Sequence, residues 1–131
     1  MEAIQKPVAI VSVVTTIDNG SEQTVFERVD LNVEEMGLEI ANSNSQNLSA
    51  FKVQVKFHES GSYVTIASAA IDYTNPAYGG LITGASGSLV TLVKNTSGWL
   101  HLRGLGLVYA VKFVATSAGA SSVLTISGRM R

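Results

Sequence analysis

An antiparallel all-β sandwich of jelly-roll type is the fold this sequence predicts, and three observations carry the expectation. Between Ser49 and Ser68 the chain reads as a complete β-hairpin: Phe51, Val53, Val55 and Phe57 alternate with Lys52, Gln54, Lys56 and His58, and Glu59-Ser60-Gly61-Ser62 turns the chain back. A clean period of two marks a strand with one face in a core and the other facing water or a partner. Elsewhere β-branched and aromatic residues recur in short runs separated by Gly, Ser, Asn and Asp, the spacing of a sandwich or barrel. Helical periodicity is weak throughout. Its best instance, Val33–Leu38, is one or two turns at most and contains Gly37.

About nine strands follow from this pattern, near 8–17, 23–31, 36–41, 49–58, 62–69, 88–95, 98–103, 107–115 and 121–128. The first is a Val/Thr-rich run, and Asp18-Asn19-Gly20-Ser21 after it is the sharpest turn signal, because Asn-Gly supplies left-handed backbone. That turn predicts pairing of the first two strands. Asn42–Asn47 is polar throughout and reads as an exposed loop. Residues 70–87 form a long glycine-rich excursion holding Tyr73, Pro76 and Tyr78, either a contact surface or a loop folded over the core edge. From 97 to 128 the pattern suggests a meander, with Leu107, Tyr109, Val111 and Phe113 on one side of a strand and Leu124 and Ile126 inward on the last.

The chain of 131 residues suits one domain with a single core. Hydrophobic residues are 46% and charged residues only 15%, which excludes a disordered chain and leaves a charge-poor surface suited to being covered by partners. A net charge of −1 without a Lys/Arg run gives no footprint for nucleic acid. The absence of cysteine removes disulfides, thiolate catalysis and cysteine metal sites. The run 8–17 lacks a cleavage pattern and reads as a strand, not an export signal, and no segment approaches the roughly 20 apolar residues of a membrane span. No membrane partner is expected.

No residue set in the sequence names a reaction. His58 and His101 both fall on polar strand faces and would need further ligands to hold a metal. Asp30, Asn32 and Glu34 alternate as oxygen ligands, but the glycine and distal glutamate of a calcium loop are missing. There is no Gly-x-Ser-x-Gly elbow, the acidic residues sit mostly at turns or on solvent faces, and Gly84–Gly87 and Gly104–Gly106 lack the context of a phosphate loop. The expectation is a non-enzyme with no cofactor and no metal. Trp99, which shares a face with His101 and Arg103, joins Tyr63, Tyr73 and Tyr78 as candidates for a sugar-stacking platform. The alternative is that Trp99 packs under the 70–87 loop.

The runs Ala50–Phe57, Gly61–Ser68, Asp72–Pro76, Gly84–Leu92 and Ser97–Leu100 resemble small β-sandwich structural proteins of tailed bacteriophages over about residues 49–128. In size and character the chain is most similar to a capsid decoration or cement protein. The resemblance implies a virion protein, assembled in the bacterial cytoplasm, that binds and stabilises a shell of major capsid protein, often as a trimer. It supplies no motif for the capsid contacts. The sequence divides as an N-terminal strand or arm over 1–20, free to pair at home or with a neighbour's sheet, and a sandwich core over 21–131. Partner contacts are expected from Val8, Ile10 and Val11 of that strand, and from Tyr73, Pro76, Tyr78 and Trp99. Deleting residues 1–20 is then expected to leave a folded core. The competing readings are a head–tail connector or tail protein, and a carbohydrate-binding module or adhesin.

Overall fold

The computed structural model describes residues 8–17, 21–43, 46–72, 80–119 and 122–131. Nine strands run through them: β1 (Val8–Ile17), β2 (Gln23–Val29), β3 (Met36–Asn42), β4 (Leu48–Lys56), β5 (Val64–Ala67), β6 (Ile82–Ala85), β7 (Thr96–Leu102), β8 (Ala110–Ser117) and β9 (Ser122–Met130). They form two antiparallel sheets, one ordered β1-β9-β3-β7-β6 and the other β2-β8-β4-β5. Setting β6 aside, the chain changes sheet at almost every connection, which is the double winding of an eight-stranded jelly roll. β6 extends the first sheet by one short edge strand.

Alternation along each strand sends one set of side chains into the space between the sheets. Met36, Leu38 and Ile40 of β3, Leu100 and Leu102 of β7, and Leu124 and Ile126 of β9 line one wall of the core. Phe51, Val53 and Val55 of β4 with Val111, Phe113 and Ala115 of β8 line the other. The aromatic centre is a row of three rings, Phe113 lying 5.1 Å from Phe26 and 5.6 Å from Phe51. A bulge between Thr24 and Phe26 in β2 allows the consecutive residues Val25 and Phe26 both to be buried, which plain alternation forbids. In the other sheet Gly128 allows a close approach, since a Cβ there would lie 2.0 Å from the Gly37 carbonyl oxygen.

The hairpin read at 49–68 is present, β4 pairing with β5 through Val53↔Ala67 and Val55↔Val64. It is shorter at both ends than the alternation suggests. β4 stops at Lys56, so Phe57 leaves the phase of the strand and is 54% exposed instead of joining Phe51, Val53 and Val55. Several expectations fail for a common reason, the switching of successive strands between sheets. β1 pairs with β9 and β2 with β8, so the Asn-Gly turn does not join a paired hairpin, and its residues 18–20 lie outside the described ones. The meander at 97–128 is also absent, because β7 and β9 belong to one sheet and β8 to the other.

Four local assignments change as well. Residues 88–95 form turns rather than a strand, with Leu89 and Leu92 still buried, and the strand of that region is β6, within the stretch read as an excursion. Val33–Leu38 contains no helix: β3 begins at Met36, and its inward Met36, Leu38 and Ile40 follow a period of two. Leu107 ends a 3-10 turn over Leu105–Leu107, which enters through Gly104 at φ 69°. That turn resets the phase before β8, so Leu107 is 86% exposed while Phe113 is fully buried. Asn42, read as part of an exposed loop, is a buried end of β3 whose amide donates to the carbonyls of Gln46 (2.8 Å) and Leu92 (3.2 Å).

Candidate functional site

The residues proposed for partner contact fall in different places. Val8 opens β1 and is 55% exposed, whereas the Ile10 side chain is 1% exposed and belongs to the core, so it offers no surface to a partner. Val11 stands opposite Ser127 in the β1–β9 ladder. Tyr73, Pro76 and Tyr78 lie outside the described residues. Trp99 is 49% exposed on the outer face of the first sheet. Its ring lies over Gly84 of the neighbouring β6, where an added Cβ would come within 2.8 Å of the indole. Trp99 therefore covers a strand glycine of β6 from outside, and residues 73–79 of the stretch 70–87 lie outside the described ones.

Beside Trp99 the same face carries an ion-pair cluster. Glu35, just before β3, accepts hydrogen bonds from Nε of Arg103 (3.1 Å) and Nε of Arg131 (2.6 Å), with His101 Nε2 at 4.0 Å. A shallow hollow of about 190 Å³ opens here over Gly37, lined also by His101, Arg129 and Met130. The hydrogen bonds from Arg103 and Arg131 hold the Glu35 carboxyl below the usual carboxylate range, against the opposing effect of its burial. A depressed folded-state pKa adds stability above the unfolded value of about 4.3, and that stability is lost as the pH falls through the folded value. The difference in melting temperature between the natural chain and Glu35→Gln is therefore expected to be largest near neutral pH and to shrink below about pH 4. A difference that grew on acidification would contradict this clamp. It joins the ends of β3, β7 and β9.

The outer face of the second sheet is organised differently. Tyr63, between β4 and β5, donates its hydroxyl to Glu27 Oε2 at 2.6 Å, and Lys112 Nζ stands 4.3 Å from the centre of its ring. Lys56 lies 5.5 Å from the Tyr63 ring and 5.6 Å from that of Tyr109. Burial and the Glu27 carboxylate push the Tyr63 phenol up, and burial with the Glu59 and Asp30 carboxylates pushes Tyr109 up, so both stay protonated at ordinary pH. Tyr63 is thus engaged on the sheet opposite Trp99. The two cannot form one sugar-stacking platform.

One end of the second sheet presents an apolar surface that alternation in the sequence assigned to the core. Phe57, after β4, and Leu107, on the 3-10 turn, line a groove of about 360 Å³ with Asp30, Asn32 and Tyr109 on its rim. Val29, at the adjacent end of β2, is also exposed. Asp30 and Asn32 both adopt left-handed backbone, with φ of 52° and 50°, which turns the chain sharply along this rim. The signal that finds this surface is the pair of strand-ending turns, Glu59–Ser62 after Phe57 and Gly104–Gly106 before Leu107, each of which breaks the phase of two.

The sites weighed for metal chemistry do not assemble among the described residues. No three of His, Asp and Glu come together there to hold an ion. His58 sits at the β4–β5 turn beside Ser60, while His101 lies in the other sheet and meets Thr83 at 3.3 Å.

No family model matches the chain, and no curated protein matches it. Among solved structures, the fold is similar to the crystal structure of the SPBc2 prophage-derived protein YomS, with a TM-score of 0.50 and 14% sequence identity. The likeness covers 97% of this chain and 99% of that one, so the shared fold is that of the whole molecule.

Proposed function

We propose that this chain is a non-enzymatic structural protein of a tailed-bacteriophage particle, a decoration or cement protein that binds the shell of major capsid protein and stabilises it. What carries the reading is the likeness of fold over essentially the whole of both chains to a prophage-derived protein. The exposed apolar end agrees with it. Phe57 and Leu107 are large, unpaired and adjacent on a charge-poor protein, and such patches mark surfaces that a partner covers. Contact there stabilises a shell by mass action, because a protein that binds only assembled subunits lowers the free energy of the assembled state. The protein works in the virion, and no reaction is needed.

Cosedimentation with shells of the phage that encodes it tests this directly. The natural chain is expected to bind shells lacking it and to raise the temperature at which they come apart. Phe57→Ser with Leu107→Asp is expected to weaken binding more than tenfold, the order of effect of losing two interface anchors. These positions are exposed, so the doubly substituted chain should melt as the natural one does. No binding to shells, or an image that places the chain at the neck or tail, would overturn the capsid assignment.

A further inference from the structure

The outer face of the first sheet carries a hollow whose shape follows from strand register. Gly37 of β3 stands opposite Arg129 of β9 on one side and opposite His101 of β7 on the other. Neighbouring strands lie about 4.8 Å apart, so the backbones bearing these two polar side chains are about 10 Å apart with a bare glycine between them. A Cβ built on Gly37 would meet nothing within 4 Å, and the space above it belongs to the hollow of about 190 Å³. Its walls are already braced. Thr83 Oγ1 lies 3.3 Å from His101 Nδ1, and a hydroxyl donating there leaves the ring proton on Nε2, which lies 4.0 Å from Glu35 Oε2. Glu35 in turn holds Arg103 and Arg131.

The charge of this site is unbalanced. Glu35 is one carboxylate against two guanidinium groups, and Arg129 has no ion-pair partner among the described residues. Glu39, the next outward residue of β3 after Gly37, stands opposite Trp99 and adds a second carboxylate to the face. Arg103, Arg129 and Arg131 against Glu35 and Glu39 leave one positive charge in excess. We propose that the hollow receives the carboxylate of one aspartate or glutamate side chain of a protein partner, held between the Arg129 guanidinium and His101 Nε2. A monoanion matches an excess of one charge, which a phosphate dianion would exceed. The volume suits one side chain, because sites that enclose a whole small ligand run to about 300–1,000 Å³. Arginine and tryptophan are among the residues that most often anchor protein contacts, and the half-exposed Trp99 is the outward neighbour of His101 along β7. The guanidinium fork offers such a carboxylate two parallel hydrogen bonds. This inference concerns the first sheet alone and does not rest on the functional reading above.

Titration with poly-L-glutamate, followed by the fluorescence of Trp99, the sole tryptophan, tests it. Saturable binding is expected, weakened about tenfold by Arg129→Gln, the order of effect of losing a charged fork. Lys112→Gln removes the same charge from the opposite sheet and is expected to leave binding unchanged. Gly37→Glu places the chain's own carboxylate in the hollow and is expected to abolish binding. Melting temperatures of all four chains identify any loss caused by misfolding. No saturable binding, equal losses from Arg129→Gln and Lys112→Gln, full binding by Gly37→Glu, or displacement of the polymer by inorganic phosphate at a lower concentration than by acetate would overturn the proposal.

Discussion

Phe113→Ala is expected to destabilise the fold by about 3–5 kcal/mol, the usual effect of truncating a fully buried phenylalanine. Phe113 lies at the middle of β8, between Phe26 of β2 and Phe51 of β4, so its removal leaves both neighbouring rings without their central contact. The loss combines the lost transfer free energy with a cavity that three strands cannot close. In a domain of this size it lowers the melting temperature by roughly 10–20 °C and consumes a large part of a net stability of about 5–15 kcal/mol. Leu107→Ala is the informative control. Alternation in the sequence puts both residues on one face, but Leu107 stands in solvent and its truncation should change stability by less than about 0.5 kcal/mol. Urea unfolding of the two variants measures the contrast, and equal effects would mean that the 3-10 turn does not reset the strand as described.

Deleting residues 1–20 is expected to abolish the folded core. Residues 8–17 form β1, which covers the edge of β9 along its length and carries Ile10 into the core. The loss of Ile10 alone corresponds to about 2–5 kcal/mol, the range for truncating a buried isoleucine to alanine. The deletion also strips the β1 ladder and turns β9 from a central strand into an open edge. Circular dichroism and urea titration should find the truncated chain unfolded or aggregated, with Ile10→Ala folded but measurably weaker. A truncated chain with a cooperative transition near that of the natural one would mean that β1 is a detachable arm. Any loss of capsid binding by this deletion would therefore report folding, and the surface substitutions at Phe57 and Leu107 are the cleaner probe of contact.

The parts legible in the sequence were those that depend on neighbours along the chain. Phe51, Val53 and Val55 alternate with Lys52, Gln54 and Lys56, and a strand with that local pattern has one way to face a core, so its pairing through a short turn followed. The face on which Trp99 lies was legible on the same ground, since Leu100 and Leu102 on either side of His101 claim the inner face of β7. The class, eight of the nine strands and the hairpin at β4–β5 come from composition, period and turn chemistry, all of which act within a few residues.

What the chain pattern could not supply was the choice of partner for each strand. A period of two says which face is buried but not against which sheet, and in a jelly roll the partner lies far away in sequence: β1 joins β9, and β3 lies between β7 and β9. The Glu35 clamp was invisible for the same reason, its two arginines standing 68 and 96 residues further along. Phe57 and Leu107 show the converse error, in which an apolar residue continues the alternation one step past the hydrogen bonds that enforce it. Burial follows from strand phase only while the ladder lasts. Lys56 ends one ladder and Gly104 turns the chain before another, and there those two side chains come to the surface.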